Sequence, residues 1–342
     1  MSFDCTINRH TAVRNITGVD TEESLMILSD YENAMRKYTI LTAGSTYLDI
    51  DAYACMVAMS ELYALQGVEA VAWSGAPCNY SVCPSLVKEG QVLRELPSDV
   101  WEREAAYVIV DVSDPAFLEQ SVPLERVAAV YDHHVGFEDY WRARVGANAK
   151  IEFIGAAATL IYREWKSAGL EKQMSRESAK LLCAAILDNT LDLTSANTTD
   201  EDRDAFRELC VLAGVGEAWR GAYFSEVQRT VEADLKNALL GDLKSVRDNP
   251  VLPPLVAQLC VWDAKSVLDR LPEMRQWFRE LPEPWLINLI DLKHRCNYFL
   301  CEDEDHQQRL AQAFDAAFRD GAARTDRTYL RKELIKKTHH IH

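Results

Sequence analysis

Short apolar segments that alternate with helical patterns most strongly constrain the fold of this chain. Residues Ala106–Val110 form a continuous apolar run, as in a strand that is buried on both faces of its sheet. Further strand candidates lie at residues 39–42, 71–73 and 127–131, and helical spacing is found at residues 51–65, 156–168, 175–187 and 199–212. Because strands that alternate with helices form parallel sheets, we expect an α/β fold built around a parallel sheet.

The length of the chain predicts more than one domain. With 342 residues, it has room for about two domains that each bury a core. We interpret residues 1–38 as an N-terminal helical appendage, residues 39–228 as the parallel-sheet domain, and residues 229–342 as a smaller α/β domain. Ligands of parallel sheets bind at the carboxyl ends of the strands, so we expect the chemistry of the first domain there.

The charge of the chain argues against a general nucleic-acid binder. Its 53 acidic and 37 basic residues give a net charge of −16, whereas duplex binding needs clustered lysines and arginines. No stretch approaches the ~18 uncharged apolar residues of a membrane span, and residues 1–15 lack the pattern of a secretory signal. Nine scattered cysteines are typical of free thiols in a reducing cytoplasm. We therefore predict a cytoplasmic protein with a small-molecule partner, no duplex nucleic acid and no membrane.

Carboxylates and imidazoles follow three of the four strand candidates. They are Asp49 and Asp51 after the first strand, Asp111 after the third, and Asp132, His133 and His134 after the fourth. Asp188 ends a later helix. Taken singly, each aspartate could be a helix cap or a turn former, and the histidines could be surface residues. Together at one sheet edge, these groups would repel each other unless cations neutralise them, and such donors suit Mn²⁺, Mg²⁺ or Co²⁺.

Over about residues 38–340, these motifs make the chain resemble the DHH superfamily of metal-dependent phosphoesterases. It most resembles the branch that holds family II inorganic pyrophosphatases, yeast-type exopolyphosphatases and prune proteins. The four ordered motifs are Asp49-Ile50-Asp51, Val110-Asp111, Asp132-His133-His134 and residues 186–190. The resemblance implies a DHH domain and a smaller DHHA2-like domain, with the active site in the cleft between them. It also implies two divalent metal ions that activate a water molecule for attack on phosphorus.

The resemblance implies a metal-binding role for five of the motif residues. Asp111 would bridge the two metal ions, and Asp49 would bind the first of them. Asp51, His133 and Asp188 would complete the second metal site.

The resemblance also implies residues that contact the substrate. His134 would bind a phosphate group or donate a proton. Arg331 and Lys332 match a Ser-Arg-Lys signature of the family, although Leu330 replaces the serine, and Lys236 matches the lysine of an Asp-x-Lys segment. Arginine and lysine held over the metal ions would bind an anionic substrate. The alternative for Arg331 and Lys332 is a solvated basic tail.

One motif departs from the pyrophosphatase pattern. Those enzymes begin the first motif with a metal-binding histidine, whereas this chain has Ser45 there and Leu48 in place of a proline. Serine is a weak ligand for a divalent ion, so the first metal would depend on Asp49, Asp111 and water, which favours hydrated Mg²⁺. The exopolyphosphatase and prune branch also lacks this histidine.

We predict a metal-dependent phosphohydrolase that cleaves phosphoanhydride bonds of short polyphosphate or pyrophosphate. The serine at position 45 favours the exopolyphosphatase-like activity. One alternative is a nucleotide phosphodiesterase of the same superfamily, but the chain lacks the glycine-rich run, similar to GGGH, of that group. The other is a phosphate-binding protein with a degenerate site, which the missing histidine favours and the intact aspartates and histidines oppose.

Overall fold

The computed structural model describes residues 38–96, 105–118, 120 and 122–339. Residues 1–37, and with them nearly all of the predicted N-terminal appendage, lie outside this range. No helix within it is long and apolar enough to cross a membrane.

A parallel sheet organises the first part of the described chain. Its strands are β1 (Thr39–Thr42), β2 (Ala70–Ala72), β3 (Ala106–Val110), β4 (Val127–Asp132) and β5 (Ala149–Ile151). They lie in the order β2-β1-β3-β4-β5, and every neighbouring pair is parallel. The prediction of an α/β fold with a parallel sheet is confirmed, and β5 is a short edge strand that the prediction did not include.

The helices of this first part bury its main core. They are α1 (Ile50–Leu65), α2 (Glu138–Val145), α3 (Ala157–Ser167), α4 (Arg176–Asn189) and α5 (Asp200–Ala213). Every side chain from Leu181 to Leu187 in α4 is fully buried, and α1 buries residues on all its sides. A helix that is apolar all round is stable only inside a protein, so α1 and α4 form the centre of the core.

A mixed sheet organises the second part of the described chain. Its strands are β6 (Lys244–Ser245), β7 (Leu255–Val261), β8 (Trp285–Asp291), β9 (Cys296–Leu300) and β10 (Ala322–Arg324), in the order β10-β9-β8-β7-β6. Strands β7 and β8 are parallel, and the other neighbouring pairs are antiparallel. The helices are α6 (Glu217–Ala233), α7 (Leu235–Gly241), α8 (Lys265–Leu268), α9 (Leu271–Phe278), α10 (Glu304–Phe314) and α11 (Arg331–Thr338). The predicted boundary after residue 228 falls inside α6, which is continuous across it.

Two buried carboxylates hold the segment that leads into α3. Asp51 accepts hydrogen bonds from the backbone amides of Ala157 and Ala158, each at 2.8 Å. Asp202 accepts one from the amide of Gly155 at 2.9 Å. Helix α3 has no side-chain cap of its own, so a carboxylate from α1 satisfies its first amide groups.

Gly155 leaves no room for a larger residue. An added Cβ would lie 2.5 Å from Oδ2 of Asp202 and 2.6 Å from Cγ2 of Thr190. We expect Gly155→Ala to lower the free energy of unfolding by about 1–3 kcal/mol, the usual range for overpacking. Urea denaturation measures this. Gly241→Ala, whose Cβ meets no atom within 4 Å, is the matched control and should not lower stability; equal stability of the two variants would contradict the close packing.

Candidate metal centre

The structure brings the sequence motifs together at one edge of the parallel sheet. Asp49 follows β1 after a short loop, Asp111 comes directly after β3, and Asp132 is the last residue of β4. Because β3 lies between β1 and β4, these side chains and the two histidines after Asp132 converge. Within the described residues, ligand atoms of Asp111, His133 and His134 all lie within 4.8 Å of one another.

The two aspartates of the first motif lie at the start of α1. Asp49 is the N-cap of this helix and accepts a hydrogen bond from the amide of Ala52 at 3.0 Å. Asp51 lies in the first turn, fully buried, where its two oxygens accept the amides at the start of α3. Helix N-termini favour negative charge, so both carboxylates are placed where their charge is partly compensated.

Asp111 presents a carboxylate that is almost completely buried. Its backbone has a φ of 57°, in the left-handed region, and its amide donates to the carbonyl of Tyr131 at 2.8 Å. Its Oδ1 lies 3.4 Å from Nε2 of His133 without forming a hydrogen bond. This unusual backbone conformation turns the chain at the end of β3 and is the kind of local strain found at functional sites.

Asp132 orients the two histidines that follow it. Its Oδ1 accepts hydrogen bonds from the amides of His133 and His134 and lies 2.8 Å from Nδ1 of His134. Nδ1 of His133 lies 3.2 Å from the carbonyl of Ile154, an oxygen that can only accept, so Nδ1 is the donor and Nε2 is turned towards Asp111. His134 is largely exposed, which leaves its Nε2 accessible to a ligand.

Asp188 joins the group from the last turn of α4. Its carboxylate accepts a hydrogen bond from the hydroxyl of Tyr223 on α6 at 3.2 Å. Tyr223 could not be predicted from the sequence, because it lies 35 positions from Asp188 and belongs to no motif. The contact ties the metal-centre end of α4 to the helix that leads into the second sheet.

The carboxylates of this group disfavour each other's charge. Burial, the charge of Asp49 and that of Asp51 raise the pKa of Asp111 well above its usual value. Burial raises the pKa of Asp51 to about 6, with the charge of His133 opposing and that of Asp49 adding to the shift. Burial and the charge of Asp49 raise the pKa of Asp188 to about 7, against the hydrogen bond from Tyr223. Divalent cations would remove this repulsion.

Buried polar atoms without a hydrogen-bond partner also indicate a cation-binding site. Among the buried side chains of the described residues, Oδ1 of Asp111, Oδ2 of Asp132 and Nε2 of His133 have no hydrogen-bond partner. Buried polar atoms are nearly always satisfied, so such a cluster needs an explanation. Oxygen atoms with one imidazole nitrogen form a donor set that fits Mn²⁺ or Mg²⁺.

Ser45 takes no part in this donor set. Its hydroxyl donates to the carbonyl of Phe117 at 3.0 Å, and its amide donates to the same oxygen at 2.7 Å. The residue therefore fixes the loop after β1 to the loop after β3.

A cleft of about 360 Å³ lies between two members of this group, Asp49 and Asp188, and residues of the second sheet. Its charged lining consists of Asp49, Asp188, Asp242, Lys244, Arg331 and Lys332. The predicted Lys236 is not in this lining; it is exposed on the first turn of α7. Lys244, which the sequence analysis did not single out, lines the cleft instead, and the triplet Asp-Leu-Lys occurs both at residues 234–236 and at residues 242–244.

The two basic residues at the start of α11 differ in their surroundings. The guanidinium of Arg331 forms a two-pronged ion pair with Asp242, at 2.5 and 3.1 Å. Lys332 faces the metal centre: partial desolvation in the cleft lowers its pKa, and the charges of Glu333 and Asp111 oppose this shift. Both side chains line the cleft, so neither belongs to a fully solvated tail.

The chain is similar in sequence to proteins named as manganese-dependent inorganic pyrophosphatases. One from Exiguobacterium sp. is 26% identical over 255 residues, which cover 69% of this chain and 75% of that protein. One from Deinococcus radiodurans is 30% identical over 193 residues, which cover 52% of this chain and 55% of that protein. No protein-family model matches the chain.

Two solved structures share the fold. One, named as a family II inorganic pyrophosphatase of Methanococcus jannaschii, has a TM-score of 0.60 at 16% identity and covers 88% of this chain and 98% of its own. The other, an exopolyphosphatase-related protein of Bacteroides fragilis, has a TM-score of 0.50 at 13% identity and covers 94% and 96%. With the sequence similarity, these findings confirm the predicted resemblance to the family II pyrophosphatase and exopolyphosphatase branch.

Proposed function

We propose that this chain is a metal-dependent phosphohydrolase that cleaves the phosphoanhydride bonds of pyrophosphate or short polyphosphate. The observation that carries the proposal is the cluster of buried ligand atoms without a hydrogen-bond partner on Asp111, Asp132 and His133. Asp49, whose charge acts on Asp111, lines a cleft that Lys244 and Lys332 also line. The relatives named as manganese-dependent inorganic pyrophosphatases support the same reaction. The aspartates can bind metal ions, and the lysines of the cleft can bind an anion. Together they suit a substrate that is an anion and itself binds metal ions.

Five residues would hold two divalent ions, Mn²⁺ or Mg²⁺. These are Asp49, Asp51, Asp111, His133 and Asp188. When bound, such ions polarise a water molecule and the phosphoryl oxygens of the substrate. The hydrogen bond from His133 to the carbonyl of Ile154 fixes the ring so that Nε2 faces Asp111, and such second contacts commonly raise metal affinity.

The remaining groups of the cleft would bind and orient the substrate. Asp132 holds Nδ1 of His134 in the protonated form, which leaves Nε2 of His134 free to contact a phosphate oxygen or exchange a proton with it. Lys332 and Lys244 would neutralise the phosphate that leaves. The position of Lys244 makes it a better candidate than Lys236 for the lysine of the Asp-x-Lys segment.

The same proposal includes a class of partner and a cellular location. We take the partner to be a small phosphorylated substrate, because the charged lining of the cleft matches an anion–metal complex rather than a macromolecule. We take the location to be the cytoplasm, since the eight cysteines of the described residues are all free thiols.

Phosphate release by the purified protein tests the proposal. The assay uses Mg²⁺, Mn²⁺ and Co²⁺ in turn, with pyrophosphate, tripolyphosphate, long-chain polyphosphate and nucleotides as substrates, and chromatography follows diester cleavage. We expect release from pyrophosphate or tripolyphosphate that depends on the metal. Cleavage of nucleotides alone would replace the proposal with a phosphodiesterase. Absence of turnover with every metal, together with binding of phosphate compounds, would indicate a degenerate binding site.

A further inference from the structure

The backbone amide and the guanidinium of Arg331 both form hydrogen bonds with the second sheet or with Asp242, which lies just before its strand β6. Its backbone amide donates to Oε1 of Gln258 at 2.5 Å. Its guanidinium donates to both carboxylate oxygens of Asp242, to the carbonyl of Asp242 at 2.8 Å and to the carbonyl of Val256 at 3.1 Å. The backbone amide of Gln258 also donates to Asp242 at 2.8 Å, which closes a ring of three residues.

The side-chain amides of two buried asparagines fix the chain just before Arg331. Asn288 and Asn297, both fully buried, donate to the carbonyl of Tyr329 at 2.9 and 2.7 Å. The amide of Tyr329 donates back to Oδ1 of Asn297 at 3.0 Å. Asn288 also donates to Gln258 at 3.3 Å, so the network reaches from strands β8 and β9 to the start of α11. Satisfied networks of this kind hold one conformation.

The charge balance of the cleft separates Arg331 from the two lysines. Arg331 and Asp242 neutralise each other, and the arginine side chain is only 12% exposed. In the described part of the chain, no ion pair engages Lys332 or Lys244. To reach a phosphate, Arg331 would have to leave a carboxylate that accepts a bidentate pair, and a partly buried charge would then stay unpaired.

We propose that Arg331 is a positioning residue, which with Asp242 and Gln258 holds the start of α11 so that the adjacent Lys332 contacts the substrate phosphate. This inference rests on the proposed function and departs from the role that the Ser-Arg-Lys resemblance implies for the arginine. In this proposal Lys332 contacts the phosphate, because its ammonium forms no ion pair with any residue that the structure describes.

A double-mutant cycle tests the inference through binding rather than turnover. Calorimetry measures the affinity for imidodiphosphate, a non-hydrolysable pyrophosphate analogue, in the presence of Mg²⁺. The proteins are the full chain and its variants Arg331→Met, Asp242→Asn and the double variant. Residues that act as a unit give non-additive effects, whereas independent residues give additive ones.

If Arg331 positions the segment, Arg331→Met weakens analogue binding about tenfold in the full chain and less than about twofold when Asp242→Asn is already present. Lys332→Met should weaken it about tenfold or more. If Arg331 binds phosphate directly, Arg331→Met weakens analogue binding at least as much in the Asp242→Asn protein as in the full chain. That result would overturn the inference. Failure of the full chain to bind the analogue would instead count against the proposed function.

Gln258→Met provides a variant that changes no charge. It removes the acceptor for the Arg331 amide, so the inference expects weaker analogue binding, by several-fold, with unchanged affinity for Mn²⁺ in the absence of analogue. The proposed metal ligands all belong to the part of the chain around the parallel sheet, so a loss confined to the analogue distinguishes positioning from general destabilisation. Unchanged analogue binding in a folded Gln258→Met protein would contradict the inference; thermal unfolding verifies that each variant is folded.

Discussion

Asp111→Asn is expected to lower metal-dependent phosphate release from pyrophosphate at least about 10²-fold, because the proposed bridge between two metal ions loses its charge. Asparagine serves better than alanine here, since Asp111 has a backbone φ of 57° and asparagine tolerates this left-handed conformation. The variant thus removes the charge and keeps the turn after β3. The measurement is the rate of phosphate release as a function of Mn²⁺ and Mg²⁺ concentration.

Two further readouts of Asp111→Asn do not depend on activity. Calorimetry with Mn²⁺ alone should show weaker binding. The metal-free variant should unfold at a higher temperature than the metal-free parent near neutral pH. Burial and two neighbouring carboxylates raise the pKa of Asp111, so the stability that its protonated form contributes is lost as the pH rises through that pKa.

Asp114→Asn is the matched control for this experiment. Asp114 lies in the same loop and accepts a hydrogen bond from the amide of Ala116 at 2.9 Å, a capping role that asparagine performs equally well. Its substitution should leave phosphate release, Mn²⁺ affinity and thermal stability unchanged. Full activity of Asp111→Asn beside a normal control would refute the proposed metal centre.

Lys244→Met is expected to lower kcat/KM for pyrophosphate about 10- to 100-fold, the usual range for loss of a charged hydrogen bond to an anion. Lys244 lines the cleft opposite the metal centre. Metal affinity in the absence of substrate should not change, because the lysine lies at β6 of the second sheet. Steady-state kinetics and calorimetry with Mn²⁺ measure the two quantities.

Lys236→Met decides between the two Asp-Leu-Lys triplets. Lys236 is exposed and is not in the cleft lining, so its substitution should change kcat/KM by less than about twofold. Both variants remove one positive charge from the same region of the chain, so general electrostatic effects are matched. A large loss in Lys236→Met with little effect in Lys244→Met would return the role to the first triplet.

The convergence of acids and histidines at one edge of the parallel sheet could be predicted because its signals are local. Strand β3 is a continuous apolar run, and Asp111 follows it directly. The rule that ligands bind at the carboxyl ends of parallel strands then groups Asp111 with the acids after β1 and the histidines after β4. No pairwise contact had to be known, because the sheet order β2-β1-β3-β4-β5 places these strand ends side by side.

The second sheet could not be predicted at the same level. Strand β6 has two exposed residues, Lys244 and Ser245, and carries no apolar pattern. Only its pairing with β7 places Lys244 at the cleft, and that pairing depends on tertiary contacts. The ion pair of Arg331 with Asp242 could not be predicted either. Asp242 lies 89 positions earlier in the chain, so the basic pattern of α11 indicates nothing about it.

Asp51 has a consequence for how such a chain can change over evolutionary time. The carboxylate that would bind a metal ion also supplies the acceptors for the first amides of α3, so one side chain serves two constraints. A lineage that loses its activity cannot simply discard this aspartate, because the helix start would lose its acceptors. Sequence motifs of this group can therefore outlast the chemistry, and an intact Asp-x-Asp motif alone is weak evidence that a homologue is an enzyme.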